Sequence, residues 1–145
     1  MPNNNLLRSV EFFQSAFFRY RDTNYLIALS RANMEPESIR LGLLGALRYG
    51  KLLILDVDMM DLFTALEQYF DEVKPGLFQA VLSGEVKSRE YYSTLVKKDD
   101  PKDYQTAGFN EHRIASYRTV IYSRINPEQE WFDRLYPIHV VPPTA

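Results

Sequence analysis

Residues 50–63 read GKLLILDVDMMDLF, and the four apolar residues Leu52 to Leu55 run straight into Asp56-Val57-Asp58. An uninterrupted aliphatic run predicts a strand buried on both faces, and covered faces are typical of parallel sheets. Asp56 and Asp58 then fall where the strand leaves the sheet, the edge at which open α/β sheets place their ligands.

Working upstream, residues 36–48 predict a helix. Pro36 suits its first turn, Glu37 its positive end, and Ile39, Leu43 and Leu47 form an apolar stripe with Leu44 beside it. Gly42 and Gly45 cost helix propensity but allow close approach to a sheet, and Gly50 is a natural stop. The segment YLIAL, Tyr25 to Leu29, predicts a strand. Residues 5–21 predict a helix, because Leu6, Val10, Phe13, Phe17 and Tyr20 recur at spacings of four and three. Asn4 or Asn5 would cap it.

Working downstream, Asp58 is a candidate N-cap for a helix over 59–73, with Leu62, Leu66, Tyr69 and Val73 inward and Pro75-Gly76 at its end. A short helix over 77–83 stops near Gly84, and a further helix is expected over 86–98, with contacts through Tyr91, Tyr92, Leu95 and Val96. The run from Lys97 to Asp103 mixes both charges around Pro101 and predicts a solvated loop. One or two helical turns are expected over 109–115. Tyr117 to Ile125 predicts a second firm strand. Asn126-Pro127 then starts a short helix with Asn126 as cap, and residues 137–141 form a last strand. Alternation of this kind predicts an α/β fold, a mostly parallel sheet with helices on both faces, in one domain spanning 1–145.

Composition narrows the function classes. The 145 residues are 46% apolar and 25% charged, as in globular chains. A net charge of −2 argues against nucleic acid held through phosphates and against a polybasic membrane surface. There is no cysteine, which removes thiol catalysis and cysteine-ligated zinc. No apolar run approaches the roughly 20 residues of a membrane span, and the opening MPNNNLLRS has no basic-then-apolar signal pattern. The expectation is an intracellular protein, cytoplasmic or cytoskeletal. The 10 tyrosines and 9 phenylalanines predict an aromatic core, and they also suit a surface that packs against a protein partner.

Four features bear on chemistry. A strand ending in carboxylates holds the magnesium of nucleotide hydrolases, and Asp56 and Asp58 stand at such an end; the competing reading is that they end a strand and cap a helix. A phosphate loop needs G-x-x-x-x-G-K-[ST] between a strand and a helix. Gly45 to Leu52 comes near it but puts Leu52 in the hydroxyl's place and reverses the order of helix and strand. His112 and His139 have no metal or triad spacing. Ser123, Arg124 and Asn126 follow the second strand, where a polar group could orient water; alternatively Asn126 caps a helix and Arg124 is solvated.

The strings ALRYGKLLILDVD and FNEHRIASYRTVIYSRINPEQEWFDRLYPIHVV make residues 36–142 resemble an AAA-type ATPase module. They are similar to the degenerate C-terminal modules of dynein heavy chains and to the AAA-like region of IQ-motif and ankyrin-repeat proteins. The resemblance implies that Asp56 and Asp58 occupy the acidic strand and that Ser123 lies near the first sensor. It also implies a first strand and phosphate loop before residue 5, where this sequence has neither, and a Glu where Asp58 stands. The expected function is therefore a non-catalytic, AAA-like structural or protein-interaction module in a cytoskeletal or ciliary setting, without a cofactor. Its partner would bind through aromatic faces or an open strand edge. The alternative is an ATPase fragment in which Asp56 and Asp58 hold magnesium, and Ser123 and Asn126 contact Mg-ATP, once a partner or missing segment completes the site. A third reading is an α/β domain that binds another small molecule near 56–61 and 123–127.

Overall fold

The computed structural model describes residues 26–30, 34–59 and 63–138. The expected helix over 5–21 lies outside the described residues, as does most of the expected strand over 137–141.

Strand β1 (Leu26–Ser30) leads through helix α1 (Pro36–Tyr49) to strand β2 (Leu52–Asp58). Helices α2 (Phe63–Val73) and α3 (Leu77–Ser83) follow, then the single turns α4 (Arg89–Tyr92) and α5 (Glu111–Ile114), strand β3 (Arg118–Ser123) and helix α6 (Gln129–Arg134). The three strands form one sheet in the order β1-β2-β3, and both pairings are parallel. The expected α/β class with a parallel sheet flanked by helices is what the chain adopts.

The aliphatic run of β2 takes the central position because it alone among these strands has a neighbour on each side. Leu53, Leu55 and Val57 meet Ile39, Leu43, Leu44 and Leu47 of α1, Leu66 and Phe70 of α2, and Phe78 of α3 in one core. Phe70 is fully buried, although the expected stripe of α2 ran through Tyr69. The edge of Trp131 on α6 meets Phe78 with ring centroids 5.8 Å apart, which ties the last helix to the same core. Gly42 and Gly45 do let α1 lie close to β1. A Cβ on Gly45 would come within 3.0 Å of the Ile27 side chain.

The turn from α1 into β2 is closed by Gly50, at φ +66. Its N–H reaches the Leu47 carbonyl and the Lys51 N–H reaches Ala46, so two orphan helix carbonyls are satisfied. A side chain on Gly50 would strike the backbone oxygen of Arg113 at 2.4 Å, so glycine is required twice over.

Four expectations are corrected. Residues 86–98 do not form one helix. Ser88 is extended and its hydroxyl accepts the Tyr91 N–H, so it starts a new turn, and Val96 is extended again. Local hydroxyl bonding of this kind competes with helix continuation. Asp58 is not the cap of a helix at 59; it ends β2, and α2 begins at Phe63. Asn126 is not the cap of α6, whose N-cap is the extended Glu128. The loop from Lys97 to Asp103 is not simply solvated either. Asp100 is drawn inward and pairs through both oxygens with Arg40 of α1 at 2.7 Å.

Candidate functional site

The C-terminal edge of the sheet collects Asp56 and Asp58 from β2 and Ser123 from β3. Asp58 stands in register with Ser123, and Asp56 lies between Ser30 of β1 and Tyr122 of β3. The tertiary fold thus brings together three of the four candidate residues. Asn126 lies beyond the end of β3 and is exposed. Ser30 and Tyr122 come to the edge by strand pairing; their only sequence signal is a polar group at the end of an apolar strand.

Each carboxylate already has local work. Asp56 Oδ1 accepts the Asp58 N–H at 3.0 Å, a side-chain turn that bends the strand where the β2–β3 register is irregular. Asp58 takes φ +50, a left-handed conformation that Asp tolerates better than most side chains. Its carboxylate lies 3.1 Å from Arg124 Nε, an ion pair rather than an aligned hydrogen bond. The Arg124 N–H donates to the Asp58 carbonyl at 2.8 Å, which anchors the guanidinium beside the acid. Arg124 is therefore partly buried against Asp58 and not solvated, contrary to expectation. The Ser123 hydroxyl donates to the Ile125 carbonyl at 2.7 Å and accepts the Ile125 N–H at 3.1 Å, closing the turn after β3.

Burial raises the Asp56 carboxyl above its ordinary range, with the nearby Asp58 charge adding and the Asp58 N–H and Arg124 opposing. Burial likewise raises the Tyr122 phenol, against the pull of Arg124.

Magnesium takes six oxygens at near-octahedral positions, usually with one or two carboxylates free to bind. Here Asp58 is countered by a guanidinium and Asp56 is committed to a backbone N–H, and no group of three or more acidic or histidine side chains gathers among the described residues. The Gly45–Leu52 stretch forms the end of α1 and the entry to β2, with Gly50 packed on Arg113, so its backbone amides serve the helix turn rather than a phosphate.

No family model matches the chain, and no solved structure matches it. Among the described residues no helix is long and apolar enough to cross a membrane.

Proposed function

We propose that this chain is a non-catalytic structural or protein-interaction module, related in design to the AAA-type core that its acidic strand resembles. The observation that carries the reading is that both carboxylates of the sheet edge make local contacts within the fold. Asp58 is paired with Arg124 and Asp56 with the Asp58 N–H, so the residues that would handle Mg-ATP hold the fold instead. A second support is the outer edge of β3. This strand has a partner on one side only among the described residues, and the stretch Thr119 to Tyr122 carries neither charge nor proline. Such edges accept an added strand. A cytoskeletal or ciliary setting follows from the resemblance to dynein modules.

The test is titration of the full chain with a fluorescent ATP analogue, with and without magnesium. No binding up to millimolar nucleotide is expected, and no ATP turnover. Magnesium-dependent micromolar binding that disappears in Asp56→Asn would overturn the proposal. That outcome would favour the ATPase-fragment reading instead, with Asp56 and Asp58 holding magnesium and a partner supplying the phosphate cradle.

A further inference from the structure

Residues 97–109 lie against α1 but are built as a body of their own. They contain two short turns, Lys102–Tyr104 and Thr106–Gly108, and no strand. Among the described residues every backbone-to-backbone bond of this stretch stays inside it, as from the Tyr104 N–H to the Pro101 carbonyl and from Gly108 to Gln105, each 2.8 Å. The Gln105 side-chain amide joins the parts, donating to the Lys97 and Asp100 carbonyls at 3.0 and 2.9 Å. Phe109 closes the far end by stacking on Tyr92, which precedes the stretch, with ring centroids 4.7 Å apart. Compact surface loops that close on themselves in this way are frequently functional.

The fastenings to α1 are side-chain contacts. The Arg40 guanidinium donates to both Asp100 oxygens at 2.7 Å, and Arg48 Nε donates to the Asp103 carbonyl at 3.0 Å. The Tyr104 hydroxyl sits in the notch that Gly45 leaves, within 3.0 Å of where a Cβ would stand. Lys97 meets Glu37 at 3.2 Å, but both side chains are more than half exposed, so this pair adds little. Of the two ion pairs only Arg40–Asp100 is buried, each side chain 6% exposed. Release of the stretch therefore breaks no helix or sheet ladder. Local openings of this kind lie below global unfolding in free energy. Single turns taken off their support do not persist, so their amides exchange on release.

We propose that residues 97–109 are a strap that lets go of α1 as one unit while the sheet stays folded, with the Arg40–Asp100 pair as its bolt. Release bares the two-pronged seat on Arg40 that Asp100 fills in the closed form, a geometry made for a carboxylate. The inference rests on the loop and on α1, and does not depend on whether the chain binds nucleotide.

Hydrogen exchange of the full chain, followed by mass spectrometry over 52–58 and 97–109, tests this. In the parent the strap amides should be protected, yet exchange faster than those of β2 and respond only weakly to urea. Asp100→Asn should speed the strap amides by roughly a hundredfold, or to the rate of an unstructured peptide. Val57→Ala opens a cavity in the core, where Val57 is 1% exposed. It should speed the β2 amides about tenfold and leave the strap amides unchanged, because the closed and released forms share the defect. Equal acceleration of both segments in Val57→Ala would mean that the strap leaves only on global unfolding and would overturn the proposal. Strap amides unchanged in Asp100→Asn, or unprotected in the parent, would overturn it too. Circular dichroism checks that both variants fold, and if one does not, the other decides alone.

Discussion

Asp56 costs stability as a charge and contributes it as an acceptor. Burial holds its folded pKa above the unfolded value, so its net contribution is least favourable at neutral pH and improves as pH falls through the raised value. Asparagine keeps an oxygen for the Asp58 N–H and removes the charge. Asp56→Asn should therefore match or exceed the parent's urea midpoint at neutral pH, with a gain within about 1 kcal/mol. Asp58 is different, because its backbone is left-handed. Asp58→Ala should cost about 1–2 kcal/mol, and Asp58→Gly should recover much of that, since glycine tolerates the conformation. A loss in Asp58→Gly as large as in Asp58→Ala would show that the Arg124 ion pair, not the backbone, makes Asp58 necessary.

Helix α1 organises the elements, and its end depends on one glycine. Gly50, Gly76 and Gly84 all have positive φ, but only Gly50 is also crowded. A Cβ at Gly76 or Gly84 would meet nothing within 4 Å. Gly76→Ala and Gly84→Ala should each cost only the left-handed penalty of about 1–2 kcal/mol. Gly50→Ala adds a clash with the Arg113 backbone that cannot be relieved by a rotamer change, so its thermal midpoint should fall clearly below the other two. Equal midpoints for all three variants would mean that the α5 turn moves away freely.

For the molecule as a whole, the Arg40 cluster fastens the 96–105 loop to α1. Arg40 is 5% exposed, the one buried charged residue among those described, and it donates to Asp100, Glu37 and the Leu95 carbonyl. The Gln105 side-chain amide then gathers the carbonyls of Lys97 and Asp100. Such a pair adds little over well-packed apolar groups, yet removing one partner strands the other. Asp100→Asn should cost about 3 kcal/mol in urea unfolding. The Arg40 guanidinium holds the Asp100 carboxyl below its usual range and Glu37 down at about 2. Both folded values lie below the unfolded ones, so this stabilisation is complete above about pH 5. It should be lost as pH falls from there towards about 2, and Asp100→Asn should make that acid limb shallower. An unchanged acid limb would place the acid sensitivity elsewhere.

Local pattern alone placed strands at 25–29, 52–57 and 117–125 and helices at 36–48 and 77–83, each within two residues of the element that forms. Their signals are nearest-neighbour ones: apolar runs, β-branched residues, and glycines at helix ends. The sheet edge was legible as far as Asp56, Asp58 and Ser123. Their use was not, because the Arg124 pair and the Ser123 turn depend on side-chain placement after the strands align. The inward turn of Asp100 was hidden in a charged stretch that reads as solvated. The one clue was Arg40, which stands four residues before Leu44 and seven before Leu47 on a buried helix flank. Only the tertiary structure decided that link, since the two residues lie 60 apart in sequence and a distant pairing leaves no local period.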